Sequence, residues 1–374
     1  MKNSYFIYAP LYTTILDWFI FLETGVPNLS MIVICLLYSK RFVSNKYFIN
    51  IVVILIASII IILVQPFKTQ VFIQFVKTFL NLSVTFYYAY LLFETFKKEG
   101  SFIFFKINKL ILLFVPILGI ISYVTNQSNF ILSRSYSMII PRIQFPFLEP
   151  SYLGIYCGLL LVFQRLTKFK DNTLLTLILL NGILSQSPSF LLIAILQQIL
   201  WRSKLKNISI FQKTIFATII LTGSYYVYFR VYNIFVYGFD FGGGMERINS
   251  TLAAIRLFLD KGFIGLGLGQ NSQYFDLYYV DQWKLLSNIK TNGDNFILTL
   301  MNELGIIFFL LLLFQIKKNI YKRYIWLILL YGSITGLITD PKFSLLIAIG
   351  YYLKFYKNNE KNINHSSSVK PSMS

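Results

Sequence analysis

The chain of 374 residues carries a net charge of +19, its mean hydropathy is +0.63, and only 13% of its residues are charged. A soluble globular chain holds about 25% charged residues, so this composition excludes an ordinary soluble domain and indicates a polytopic membrane protein. His365, the only histidine, lies in a polar tail, which excludes histidine clusters and histidine-based acid–base catalysis in the core. Cys35 and Cys157 lie in apolar segments and suggest neither a disulfide framework nor a thiolate metal site.

Apolar segments long enough to span a bilayer, or slightly shorter, recur along most of the chain. We predict an all-α fold with about 12 transmembrane helices in one multi-pass domain, residues 1–357, a disordered tail at 358–374 and no cleaved signal peptide. The predicted spans are roughly 5–22, 26–39, 48–65, 71–93, 110–125, 151–165, 173–186, 188–201, 213–230, 294–316, 325–338 and 343–356. The short segments within 5–39 and 173–201 are the weakest, so ten or eleven spans are also compatible with the pattern.

Lysine and arginine concentrate in alternate loops, at 40–46, 97–109, 202–213 and 317–323 and near the C-terminus. Basic loops stay on the cytoplasmic side, which places both termini in the cytoplasm. With that orientation the inner loops account for the whole net charge of +19. A nucleic-acid partner is therefore not needed to explain the charge.

The longest segment that cannot span a membrane is 231–293, which this orientation places in the periplasm. It is rich in glycine, aromatic and charged residues, and such loops commonly carry function. A solvated connector is the alternative. The second-longest periplasmic loop is 126–150.

The second loop holds Arg134 and Arg142 and ends in Glu149, which is flanked by Pro146 and Pro150 at the mouth of a span. Prolines restrict the backbone on both sides, so the Glu149 carboxylate is held in a defined position. Partial burial there would move its pKa towards the range of a general base. The alternative role for Glu149 is to cap the following helix, and the two roles are compatible.

In the large loop, residues 246–260 are predicted to form an amphipathic helix on the outer membrane face. The apolar residues that recur at helical spacing are Ile248, Leu252, Ile255 and Leu259. Arg247 and Arg256 are nine positions apart and lie on opposite sides of such a helix, so one ligand cannot take both. We expect Arg256 to pair with Asp260 four residues later, which leaves Arg247 as the better ligand-binding candidate.

Glycines alternate at Gly265, Gly267 and Gly269 directly after this helix. The spacing permits positive φ angles and can expose backbone amides to an anion, although a tight turn between two interfacial helices explains it equally well. No strand–turn–helix context and no GK[ST] sequence accompany the glycines, so nucleotide binding is not supported.

The last segment of interest begins at Asp294 and Asn295, where the next span starts, and continues to Glu303 inside that span. Asp294 is either a second candidate base or the N-cap of the helix. A carboxylate such as Glu303 is costly within a membrane unless it faces protein or water.

The order of these segments resembles the Wzy-type polysaccharide polymerases and the related O-antigen ligases. The residues that carry the resemblance fall in three groups: Arg142, Phe145, Glu149, Pro150, Ser151 and Gly154; Arg247, Gly265, Gly267, Gly269 and Asn271; and Asn295, Glu303, Leu304 and Gly305. The resemblance covers roughly residues 130–310. It implies a glycosyltransferase of the bacterial inner membrane that uses undecaprenyl-diphosphate-linked glycan as donor and acceptor, needs no cofactor or metal, and has a chain-length regulator as a candidate partner.

On this resemblance Glu149 and Asp294 are the candidate catalytic residues. Candidate substrate-binding residues are Arg134, Arg142, Arg247, Arg256, Gly267, Asn271 and Asn295. Ligases of this superfamily carry a histidine where this chain has Asp294, which favours a polymerase over a ligase. The base remains open between Asp294 and Glu149. A flippase of lipid-linked oligosaccharide is the alternative from another class.

Overall fold

The computed structural model describes Pro10 and residues 29–38, 52–57, 59–60, 69–125, 132–133, 142–143, 150–167, 171–201, 244–278, 295–334 and 341–368. Over these ranges the protein is mostly helical, as the sequence predicts. The labelled helices are α1 (Leu29–Leu37), α2 (Thr69–Thr95), α3 (Ser101–Val124), α4 (Pro150–Leu166), α5 (Asn172–Leu184), α6 (Pro188–Trp201), α7 (Gly244–Leu257), α8 (Asn271–Tyr274), α9 (Phe296–Asn319), α10 (Ile325–Ile334) and α11 (Pro341–Ser368). Residues 52–57 and 59–60 are also helical.

Short irregular turns connect or extend several of these helices. π-helical turns follow α2 at Phe96–Gly100 and α7 at Phe258–Gly262, and 3-10 turns occur at Phe275–Tyr278 and Lys322–Tyr324. Two short strands, β1 (Leu132–Ser133) and β2 (Arg142–Ile143), pair antiparallel and join two parts of the 126–150 loop.

Prolines and side-chain caps account for several helix starts. Helices α4, α6 and α11 each begin at a proline, whose missing N–H is not needed in the first turn. Asp171 accepts a hydrogen bond from the Leu174 N–H at 3.0 Å and so caps α5. The Asp171 carboxylate also pairs with Lys109 of α3 at 2.7 Å, and this contact lowers the pKa of Asp171.

The described helices coincide with ten of the predicted spans, including residues 52–60, while 5–22 and 213–230 lie outside the described ranges apart from Pro10. One sequence expectation needs correction. The basic segment 97–109 is not a loop: it is helical, because the π turn leads directly into α3. In the structure α11 continues through residues 358–368, since propagation from a formed helix needs no new nucleus, and the disordered tail stays a prediction.

The core lies between α2, α4, α5, α6 and α11. Helix α4 packs against both α5 and α6, and α11 packs along α2. Aromatic rings fill the junction where the Phe96 turn meets α4 and α11. Ring centroids of Phe96 and Phe163 are 5.2 Å apart, and those of Phe163 and Tyr352 are 5.6 Å apart.

By length and composition, two helices in the described part of the chain, α3 and α9, are long and apolar enough to cross a membrane. Both present large apolar side chains outwards, among them Ile120 and Ile121 of α3 and Ile307 and Phe314 of α9. Exposed apolar side chains of this kind are what a hydrocarbon solvent accepts, so the described helices agree with the membrane character that the composition indicates.

Candidate functional site

Helix α9 is broken at Gly305, whose φ of 73° and ψ of 162° are not helical. In an unbroken helix the N–H of Ile306 would bond to the carbonyl of Asn302, and the carbonyl of Glu303 would accept from residue 307. The break frees these groups inside an apolar helix. Unpaired backbone groups are costly there, so another segment of the protein must satisfy them.

The glycine-rich segment 263–270, which we call the glycine loop, supplies those partners. The N–H of Leu266 donates to the Asn302 carbonyl at 2.8 Å, and that of Gly267 donates to the Glu303 carbonyl at 2.9 Å. In return the N–H of Ile306 donates to the Phe263 carbonyl at 3.3 Å. The loop and the broken helix therefore pair backbone to backbone, and each segment donates hydrogen bonds to the other. The paired residues are about 40 positions apart in the sequence.

The glycines of the loop make this approach sterically accessible. A Cβ at Gly265 would lie 2.7 Å from the Gly305 nitrogen, and one at Gly305 would lie 2.4 Å from the Ile264 carbonyl oxygen. At Gly269 a Cβ would meet the backbone of Gln74 on α2 at 2.6 Å. All three glycines have positive φ angles, so the loop depends on glycine both for conformation and for contact.

Buried polar side chains surround the break. The Glu303 carboxylate, in a residue only 5% exposed, accepts hydrogen bonds from the backbone N–H groups of Gly269 and Asn271. Asn302 is fully buried, and its Nδ2 donates at 3.2 Å to both the Ala254 carbonyl of α7 and the Oδ1 of Asn271. The glycine loop thus offers backbone N–H groups to an acidic group, as its sequence permits, and in this structure that group is the Glu303 side chain of the same chain.

Helix α7 confirms the prediction of a helix near 246–260, but its packed face differs from the expected one. Ser250, Ala253, Ala254 and Leu257 are buried, whereas Ile255 and Leu259 are 38% and 65% exposed. Small residues let α7 approach the glycine loop and α9 closely, as they do between helices in membranes. The apolar stripe that the sequence analysis selected therefore faces away from the protein at Ile255 and Leu259.

The expected ion pair between Arg256 and Asp260 does not form. Arg256 is exposed, and Asp260 instead accepts a hydrogen bond from the Tyr278 hydroxyl. The reason is local: α-helical geometry ends at Leu257, so the spacing of four residues no longer aligns the two side chains. Burial, together with the Asp260 contact, raises the pKa of Tyr278 to about 12.

A second cluster joins Arg142 to the turn between α5 and α6. The Arg142 Nε donates to the Ser185 carbonyl at 3.1 Å, and Nη2 donates to the Gln186 carbonyl at 3.4 Å. The same turn packs on the first part of α4, where a Cβ at Gly154 would lie 2.2 Å from the Ser187 Cβ. Arg142 and Gly154, which belong to one group in the resemblance, thus contact the same turn between α5 and α6.

We expect Gln186→Gly to raise the free energy of unfolding by up to about 1 kcal/mol. Gln186 has φ of 48° just after the end of α5. Residues other than glycine, asparagine and aspartate rarely adopt this left-handed backbone conformation. Thermal unfolding of the purified protein in detergent measures the effect. Gln186→Ala is the matched control, because it removes the side chain and keeps the conformational cost. A glycine variant less stable than the alanine variant would contradict the expectation.

The remaining candidate residues are placed as follows. Arg134, Glu149 and Asp294 lie outside the described residues. Arg247 belongs to the first turn of α7. The N-cap of α9 is Asn295, whose Oδ1 accepts from the Leu298 N–H at 3.0 Å, so the capping role considered for Asp294 belongs to the next residue. Gly267 and Asn271 both lie in the contact between the glycine loop and α9.

Asn302 is the residue of this cluster that the sequence analysis missed. Its signal was available, because an asparagine beside a glutamate within an apolar span needs a protein partner. Within the described ranges, no three His, Cys, Asp or Glu side chains come together as a metal site would require. The expectation of chemistry without a metal remains a prediction.

Comparisons with protein-family models, with curated proteins and with solved structures each found no match to this chain.

Proposed function

We propose that the chain is a polysaccharide polymerase of the bacterial inner membrane. It has about 12 transmembrane helices, both termini in the cytoplasm and its reaction site on the periplasmic face. Donor and acceptor are glycan repeat units linked to undecaprenyl diphosphate. The proposal rests on the three groups of residues that resemble Wzy-type polymerases and O-antigen ligases.

One structural observation supports the proposal more than any other. Two of the three resembling groups, the glycine loop with Asn271 and the segment from Asn295 to Gly305, form a single unit held by backbone hydrogen bonds. Helix α7, which carries Arg247, is attached to that unit through Asn302. Segments that are distant in sequence therefore support one surface, as the parts of an active site must.

The proposed reaction exchanges one bond at the anomeric carbon of the donor. An acceptor hydroxyl oxygen forms a bond to that carbon, and the bond from the carbon to the diphosphate oxygen breaks. Undecaprenyl diphosphate leaves with the electron pair, while a carboxylate takes the proton of the attacking hydroxyl. The reaction needs cations at the leaving group and a base at the acceptor.

Arg247 is the proposed principal ligand of the diphosphate, since guanidinium groups bind phosphate with two parallel hydrogen bonds. Arg142 and Arg134 carry the second cationic position in the loop 126–150, and exposed Arg256 contributes only to the general positive field. Gly267, Asn271 and Asn295 support the site through the backbone pairing and the cap described above. Glu149 and Asp294 are the candidate bases, and a chain-length regulator is a candidate partner.

Arg247→Ala is expected to abolish polymer synthesis, with a loss of about a hundredfold to a thousandfold in rate, at unchanged protein abundance. Arg247→Lys should restore little, because an ammonium lacks the planar pair of donors. Arg256→Ala is the matched comparison on the same helix and should have a smaller effect. Glycan length on gels, normalised to membrane abundance, is the measurement. An essential Arg256 beside a dispensable Arg247 would refute the assignment.

The proposed orientation gives a second expectation. Reporter fusions ending at Lys206 should be active only as cytoplasmic reporters, and fusions ending at Asn271 only as periplasmic ones. Equal behaviour of the two fusions would contradict the orientation.

Broken helices such as α9 also occur in transporters, where the half-helices bind substrates. A flippase is therefore the main alternative. The groups that the break frees at Asn302, Glu303 and Ile306 are bonded to the glycine loop, however, which favours a structural use of the break. Surface glycan of cells that lack this chain separates the functions. Single capped repeat units indicate a polymerase, unflipped intermediates without surface glycan indicate a flippase, and polymer retained on the lipid carrier indicates a ligase.

A further inference from the structure

Lys77 lies inside the segment 71–93 that the sequence predicts to span the membrane, on helix α2. Its side chain is exposed, and it makes no ion pair or hydrogen bond with the described residues. A charged residue within a span is costly and usually marks a functional site with a defined partner. Lys77 is therefore available to bind a ligand from outside the described residues.

Lys77 lines a groove of about 570 Å³ between α1 and α2. The volume falls in the range of ligand sites, about 300–1,000 Å³. Apart from Lys77 and Asn81, the groove is apolar, with Ile32 and Leu36 on α1 and Ile73, Val76 and Leu80 on α2. A long apolar surface with one cation fits an amphiphile that has a hydrocarbon chain and an anionic head.

The groove is adjacent to the glycine loop. Gln74, Lys77 and Asn81 occupy positions i, i+3 and i+7 of α2 and so share one face of the helix. The loop packs at the first of these positions, because Gly269 is close enough to Gln74 for an added Cβ to clash with its backbone. An anionic head at Lys77 would thus lie about one helical turn from the segment that the resemblance places at the reaction site.

We propose that the groove between α1 and α2 binds the hydrocarbon chain of the lipid-linked donor, with a phosphate of its diphosphate at Lys77. The groove and the cation come from the structure, while the identity of the lipid rests on the proposed function. In the proposed orientation the first residue of α2 lies at the periplasmic end. The phosphate would therefore be held on the same side as the glycine loop and Arg247.

Photocrosslinking to the full-length protein in proteoliposomes tests this site without measuring catalysis. A benzophenone amino acid replaces Ile73 in the groove or, as the control, Ile120 on the exposed face of α3. The probe is radiolabelled polyprenyl diphosphate. We expect labelling at position 73 and not at 120, and competition by unlabelled polyprenyl diphosphate but not by an equal excess of phosphatidylglycerol.

Lys77→Met should lower the labelling at position 73 by about tenfold, and Lys77→Arg should retain it, because an arginine keeps the charge. Labelling that is unchanged in Lys77→Met, or that phosphatidylglycerol removes equally well, would overturn the proposal and leave an ordinary boundary-lipid surface. Failure of the proposed function can be distinguished from failure of the groove proposal. The first appears as absent polymer synthesis, whether or not position 73 is labelled.

Discussion

Gly305→Ala should prevent the protein from accumulating in the membrane, with a loss of more than about 4 kcal/mol in the free energy of unfolding. The φ and ψ angles of Gly305, 73° and 162°, lie in a region that is open only to glycine. The new Cβ would also lie 2.4 Å from the Ile264 carbonyl oxygen, and backbone cannot move aside cheaply. Either the helix closes and leaves the glycine loop unpaired, or the loop is displaced.

Membrane abundance and thermal unfolding in detergent measure this effect. Gly119→Ala is the matched control, since it adds the same methyl group to a helix and meets only the flexible end of Ile143 at 2.6 Å. We expect the control to accumulate normally. A Gly305→Ala protein with wild-type abundance and melting temperature would show that the pairing of the glycine loop with α9 is not required for folding.

Replacing the catalytic base with its amide is expected to reduce the polymerisation rate by more than about a hundredfold. The two variants are Glu149→Gln and Asp294→Asn, because an amide keeps the shape of the acid and cannot take a proton. We favour Glu149, since Pro146 and Pro150 restrict the backbone around it. The structure makes the Asp294 test cleaner, because Asn295 caps α9 and the substitution at 294 leaves that cap intact.

Polymer length and rate at matched membrane abundance are the measurements. Loss of a helix cap costs at most about 2 kcal/mol of stability, so a cap-only role for Glu149 predicts normal polymer in Glu149→Gln. If both amide variants synthesise polymer at the wild-type rate, neither acid is the base. Catalysis would then depend on the arginines and on substrate positioning.

The positions of the helices could be predicted from the sequence because apolar runs and prolines are local signals. The span predicted at 151–165 is α4, Pro150–Leu166, and the one predicted at 188–201 is α6, Pro188–Trp201. The segment 97–109 is helical although its lysines predict a loop. One of them, Lys109, is compatible with a helix because it reaches Asp171 at 2.7 Å.

The candidate site was only partly predictable. The glycines at 265, 267 and 269 were recognised as unusual, but their partner is Gly305 and its neighbours, and no local rule gives a pairing across about 40 residues. The packed face of α7 differs from the predicted one because periodicity finds large apolar residues, whereas small residues such as Ala253 and Ala254 line the side that contacts the protein. The groove at Lys77 could not be predicted, because it forms only where α1 and α2 pack together.

The central claim is that this chain joins lipid-linked repeat units. The direct measurement uses the purified full-length protein in proteoliposomes with one undecaprenyl-diphosphate-linked repeat unit as the sole glycan. We predict a ladder of products that differ by one repeat unit, with release of undecaprenyl diphosphate in equal number to the bonds formed. Repeat units that stay unjoined while they cross the bilayer in the same vesicles would contradict the claim and identify a flippase.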